Sequence, residues 1–302
     1  KQKMNQQQSI CSQAREKTRA KRAATQVFSF FTLRAAAFVN CAALVIACVF
    51  LFVNGIGALD IEFVLDSPRE MMTSGGVFPC LVGTFLLAAG AIAIALPFGV
   101  ACAVWLNEYG KQGPVVDIVR LSVANLAGVP SIVFGLFGLA FFVTALGFNV
   151  SLLSGILTLA VLTLPVIINT TEEALKQVPR SWRDASLALG ATKSQTIGRI
   201  VLPSALPGIL TGAILAVARA AGETSAVMFT AAVFYTPKLP ESVWSSVMAL
   251  PYHMYVLATA GTEIEKTRPM QYGTGLLLVV LVFAMNLIAI LIRDKMQKKR
   301  LA

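Results

Sequence analysis

The sequence predicts an all-α integral membrane protein with six transmembrane helices and both termini in the cytoplasm, on three observations. Of 302 residues, 56% are hydrophobic and 13% charged, too few charges to cover a soluble domain of this size. The apolar residues gather in six runs of about 20 residues or more, the length a helix rising 1.5 Å per residue needs to cross roughly 30 Å of hydrocarbon. Lys and Arg are also biased between alternate connecting segments. With the amino terminus inside, 20 of the 25 face the cytoplasm, four lie outside and one sits within a span. The net charge of +10 follows from that bias and from attraction to anionic inner-leaflet lipid, and it requires no nucleic acid.

Residues 1–32 are polar and basic (Lys1, Lys3, Arg15, Lys17, Arg19, Lys21, Arg22) and read as a cytoplasmic tail, mobile at its start, with no cleaved leader. The first span is expected at Leu33 to Val53. The segment that follows, to Gly76, carries Asp60, Glu62, Asp66 and Glu70 against one Arg69, and suits the outer side. A second span, Val77 to Leu106, holds Pro97 and Gly99, which predict a kink. The third, Leu121 to Val143, holds Gly128-Val129-Pro130-Ser131, then Gly135 and Gly138. These residues suit a moving or cavity-lining helix or simple close packing. Spans four, five and six are expected at Val150 to Thr170, Pro207 to Ala232 and Tyr272 to Ile292, and residues 293–302 form a basic cytoplasmic tail.

Between spans four and five lies a long charged segment, 171–206, with a helical elbow at Asp184 to Pro203. Small residues Ala185, Ser186 and Ala188 allow close approach to a partner, Gly190 supplies a turn, and Pro203 is expected to stop the second helix. Leu187, Ile197, Ile200 and Leu202 alternate with Arg183, Lys193 and Arg199, giving one greasy and one solvated face. An ordinary amphipathic connector has the same periodicity.

Span five carries Arg219 and Glu223, four residues apart and so on nearly one helix face, near mid-depth. Ionised groups there are costly and mark either a solute path or a self-neutralising pair holding helices together. Gly208, Gly212, Ala216 and Ala220 form a small-residue stripe on an adjacent face.

The five cysteines sit mostly in apolar runs and read as small buried hydrophobes, and His253 reads as a loop residue; no metal site is expected. Gly190-Ala191-Thr192-Lys193-Ser194 lacks the glycine directly before lysine that a phosphate-cradling loop needs, and no nucleophile, base and acid share a pocket. No catalytic site is expected, so an ATP-powered process would need another polypeptide.

The elbow resembles the E-A-A-x-x-x-G-x(9)-I-x-L-P loop of ABC transporter permeases, with Asp184-Ala185-Ser186 at the triplet and Gly190, Ile200, Leu202 and Pro203 at the expected spacing. Gly128-Val129-Pro130-Ser131-Ile132-Val133-Phe134-Gly135-Leu136, Thr170-Thr171-Glu172-Glu173-Ala174-Leu175 and Ala218-Arg219-Ala220-Ala221-Gly222-Glu223-Thr224 resemble the phosphate-specific branch, in particular its smaller "A" permease subunit. The resemblance covers residues 77–292. It implies a type I importer permease fold in the cell (inner) membrane, with residues 33–76 as first helix and outer loop. It implies a heterodimer with a second phosphate permease, two cytoplasmic ATPase subunits that bind ATP and Mg, no cofactor in this chain, and an external phosphate-binding protein. It also implies coupling to the ATPases through Asp184, Ala185, Ser186, Leu189, Gly190, Ile200, Leu202 and Pro203, and a substrate path through Arg219 and Glu223. Asn169 departs from the pattern, since many relatives have arginine there. A permease for another oxyanion or solute is the alternative; a stand-alone channel or carrier would not need the elbow.

Overall fold

The structure, a computed structural model, describes residues 2–72, 74–111, 113–260 and 264–301, and the side chains of residues 26, 29–70, 72, 74–111, 113–260, 265 and 267–296. The basic side chains from Lys1 to Arg22 and from Lys298 to Arg300, and Cys11, therefore lie outside the described set. The chain divides at Val53 into two compact units.

The first unit lies in helix α1, Gln2–Gly55; an apolar stretch begins within it at Ser29 and runs on through the following turn to Ala58. The backbone of the basic residues before that stretch continues the same helix, because Ala, Gln, Lys and Arg are strong helix formers. Phe38, Val45 and Val53 are exposed, as suits a helix solvated by lipid.

Among the described residues the regular structure of the second unit is helical apart from one short hairpin and an isolated bridge. A turn of helix, α2 (Ile61–Leu65), leads to β1 (Pro68–Arg69) paired antiparallel with β2 (Ser74–Gly75), and Arg69 is 2.7 Å from Asp66. Helix α3, Phe78–Val104, runs through Pro97 and ends in a π turn, Trp105–Tyr109. Helix α6, Leu152–Gln177, is its main partner, starting from a Ser151 cap whose hydroxyl accepts the Ser154 amide. The two helices interlock where small residues recur. A side chain at Gly90 or Gly99 would overlap Ile156 or Ile167.

The expected third span is two helices, α4 (Pro114–Ala127) and α5 (Ser131–Gly138), the latter continuing as a π turn, Leu139–Ala145; the axes bend by 102° at the break. Proline at 130 has no amide to donate and drives Val129 out of the helical region, and Gly128 resists helix as well. A straight Leu121–Val143 helix is thereby excluded.

The elbow folds as α7 (Arg180–Ala188) and α8 (Lys193–Thr196), then a π turn, Ile197–Val201, leading into α9 (Leu202–Ala221). Pro203 does not stop the second helix. It occupies the first turn of α9, immediately after the wide π turn, where its missing amide is tolerated. Lys193–Ala221 is thus one apolar helical stretch.

Span five, expected to reach Ala232, ends at Ala221. Gly222 caps α9, and after Thr224 a one-turn helix α10 (Ser225–Thr230) begins, followed by irregular chain bridged at Ala232 and Val247. Helix α11 (Leu250–Thr259) then precedes α12 (Ile264–Leu301). In all, five helical stretches are long and apolar enough to cross a membrane, six when the bent α4–α5 pair is taken as one. This is a multi-pass membrane protein.

Packing settles His253 differently from expectation. His253 is not in a polar loop but buried in α11, and neither ring nitrogen has a hydrogen-bond partner among the described residues. Nearby, Tyr235 donates its hydroxyl to the Pro68 carbonyl at 3.0 Å and Tyr252 packs against the core, while Trp244 stands exposed, edge-on to Phe148.

Burial without compensating charge lowers the His253 pKa from 6.5 to about 4. Folded and unfolded states therefore bind protons differently only below about pH 6.5. Stability contributed by the neutral imidazole is complete above that value and is lost as pH falls toward 4, by up to about 1.4 kcal/mol per pH unit. In detergent, thermal midpoints are expected to drop between pH 7 and pH 5, and to drop less in His253→Leu; parallel profiles would refute this.

Candidate functional site

Two regions hold the residues singled out in the sequence: the middle of the helical bundle around Arg219, and the elbow.

Helix α9 packs on α6 through its small-residue stripe, because a Cβ at Gly208 would strike Ala174 and one at Gly212 would strike the Thr170 hydroxyl. Ala216 joins Ala160 and Ile167, and Ala220 and Ala221 pack with Ala88, Val282 and Met285. Val282 lies at the centre of the α12 apolar stretch, so the level of Ala220, and with it Arg219, is close to mid-depth. The stripe thus holds the backbone against its neighbours, while Arg219 stays half-buried on another face. Among the described residues no ion pair or hydrogen bond engages the Arg219 side chain.

Glu223 does not share a helix face with Arg219. The α9 helix has ended by then, Gly222 accounts for the change of direction, and Glu223 is half-buried in the turn with its own amide 3.4 Å from the Ala220 carbonyl. The intrahelical i,i+4 geometry expected for the pair is therefore absent, and no ion pair joins them among the described residues. Asn169 is exposed on α6, next to the Thr170 that meets Gly212, so it lies about two turns, roughly 10 Å along the axis, from the Arg219 level.

The elbow separates the residues grouped there. Asp184, Ala185, Leu189 and Gly190 form an exposed tip, with Leu189 89% accessible beside exposed Leu187 and Trp182. Gly190 has φ +83°. Ser186 faces inward, its hydroxyl 2.9 Å from that of Thr196, which ties α7 to α8. A capping box between Thr192 and Gln195 starts α8. Ile200 is half-buried, and Leu202 and Pro203 belong to the membrane helix. There, with Leu96, Pro97 and Val100 of α3, they line an apolar groove of about 640 Å³.

Sequence reading missed the residues that anchor the tip. Arg183 pairs with Glu108 at 2.7 Å and also donates to the Val178 and Leu175 carbonyls at 2.7 and 3.0 Å. Glu172, buried, holds Arg120 at 2.9 Å and Lys176 at 2.8 Å. Of these only Glu172–Lys176 had a local signal, the i,i+4 spacing.

The comparisons agree with this architecture. A Bacillus subtilis protein called probable ABC transporter permease protein YqgI is 33% identical over 82% of this chain and 90% of its own length. Phosphate transport system permease protein PstA 1 of Mycobacterium tuberculosis is 39% identical over 75% of this chain and 73% of its own, and the PstA of Xylella fastidiosa is 31% identical over 85% and 94%. Among solved structures, a bacterial alginate ABC transporter in complex with its alginate-bound periplasmic protein superposes with TM-score 0.60 at 13% identity, covering 86% of this chain and 92% of that one. The MetNI methionine ABC transporter does so with TM-score 0.53 at 24% identity, covering 73% and 94%. A sequence model of one family matches residues 95–301. By that match and these identities, the chain belongs to the binding-protein-dependent transport system inner membrane components, the membrane-spanning permeases of ABC importers.

Proposed function

We propose that this chain is a permease subunit of an ATP-driven importer of inorganic phosphate. The observation that carries the reading is Arg219, a half-buried guanidinium near mid-depth with no ion-pair partner among the described residues. A cation held there must meet either water in a path or an anion passing through it. The PstA relatives, named for phosphate transport, support the choice of anion.

In this reading residues 77–292 form the permease domain and segment 171–206 its coupling region, while 33–76 supply the first crossing and outer loop. Residues 1–32 and 293–302 face the cytoplasm together with the elbow. A second, related permease completes the path. Two ATPase subunits carrying ATP and Mg engage the exposed tip at Asp184, Ala185, Leu189 and Gly190, and an external phosphate-binding protein delivers the solute. No hydrolysis takes place on this chain. The exposed apolar tip argues against a stand-alone carrier, which has nothing to dock there.

The test is uptake of labelled phosphate by liposomes holding the complex with its ATPases and binding protein. ATP-dependent phosphate accumulation, with sulfate taken up at least about tenfold more slowly, is the expected result; a reversed preference would assign the subunit to another oxyanion.

A further inference from the structure

Two neighbouring residues at the end of α3 each hold one of the two elbow helices. Glu108 accepts from Arg183 of α7 at both carboxylate oxygens: Nε lies 3.2 and 3.3 Å from Oε1 and Oε2, and Nη2 lies 2.7 Å from Oε1. Tyr109 offers its ring to Lys193 of α8, whose ammonium is 5.0 Å from the ring centre. The same Arg183 closes the last carbonyls of α6, Leu175 and Val178. One guanidinium thus joins the ends of α3 and α6 to the start of the elbow.

The environment makes the junction firm. The Glu108 side chain is 8% accessible and that of Arg183 17%, so the pair is screened little by water; Nη2 makes one short contact to Oε1 and Nε is shared between both oxygens. Asn107 donates to Glu108 Oε1 at 2.8 Å and fixes its rotamer. The π turn Trp105–Tyr109, closed by the Gly110 amide on the Trp105 carbonyl, presents both residues toward the elbow.

We infer that Glu108, Arg183 and Tyr109 form a clamp that makes α3 move with the elbow as one body with α6, and that it stays shut throughout the transport cycle. Apolar packing already joins the end of the elbow to α3, since Val201 and Leu202 share a cluster with Ala103 and Leu106; the clamp adds a polar tie from α3 to α7, the helix that carries the tip. With it, the push reaches α3 directly, and α3 carries it along the interlocked Gly90–Ile156 and Gly99–Ile167 contacts. Arg183 and Glu108 are positioning residues: they touch no solute and act through the elbow. The inference rests on the reading of the tip as the ATPase dock, and the two are tested separately.

In the reconstituted complex, Glu108→Gln and Arg183→Lys are expected to keep the ATPases bound and hydrolysing while uptake per ATP falls about tenfold, within the range coupling free energies produce. A merely structural role would lower uptake and hydrolysis together. A Glu108→Cys, Arg183→Cys pair, in a background with the native cysteines replaced, should be equally uncoupled and should recover to within about twofold of the parent when a short bifunctional thiol reagent bridges it. An unchanged uptake-to-hydrolysis ratio in Glu108→Gln, loss of the ATPases, or a bridged pair that stays uncoupled overturns the clamp. The dock fails by a different result: Leu189→Asp retaining the ATPases at parental affinity.

Discussion

Arg219→Gln is expected to reduce phosphate uptake at least about a hundredfold while leaving assembly with the ATPases intact. Phosphate carries one to two negative charges at neutral pH, and an apolar layer of roughly 30 Å offers it no counter-charge. A guanidinium near mid-depth supplies one, and its planar donors can engage two phosphate oxygens at once. The side chain is available, since no described partner occupies it. Arg219→Lys should recover only part of the rate, because an ammonium lacks the fork. The helix break at Gly222 places Glu223 in a turn and not stacked under Arg219, so neutralising Arg219 is not a role left for it. Replacing Arg219 by Gln and Glu223 by Met together should therefore not restore transport. Uptake at the parental rate by that double variant would remove Arg219 from the path.

The second large effect is expected at Gly190. Its φ of +83° is a conformation in which a Cβ is strained, most of all a branched one, at a cost of about 1–3 kcal/mol. A Cβ there meets nothing within 4 Å, so the penalty of Gly190→Val is one of backbone conformation and not of collision. The variant should relieve it by swinging α7 away from α8, misplacing the tip and uncoupling hydrolysis from uptake, whereas Gly190→Asn, tolerated in the left-handed region, should transport at close to the parental rate. Full uptake with normal substrate-stimulated hydrolysis in Gly190→Val would count against the elbow as the mechanical joint.

What could be read from the chain followed the range of the signal. Apolar runs located four of the long helices to within several residues, because burial in lipid depends on composition over some twenty positions, whereas the fifth begins 14 residues before the expected Pro207 and ends 11 before Ala232. The turn at Gly190 was legible because a glycine at a helix end is a local requirement. The breaks were not: Gly128-Val129-Pro130 and Gly222-Glu223-Thr224 lie inside apolar stretches, where hydropathy averages over the very residues that interrupt the helix. Pro203 misled in the opposite sense, since the π turn that accommodates it leaves no mark in periodicity. Glu108 and Arg183 are 75 residues apart, and only the folded bundle brings them together.

The bend between α4 and α5 has a topological consequence. Glu108, at the end of α3, touches the elbow, and so does the end of α6 through Leu175. The start of α6 lies some 39 Å away along the helix, where the Ser151 and Leu152 amides bond to the Thr230 and Ser245 carbonyls. Leaving α3 on one face and entering α6 from the other, the chain between them must traverse the layer; a hairpin dipping in and returning would end on the wrong face. The 102° corner is therefore a detour within a passage.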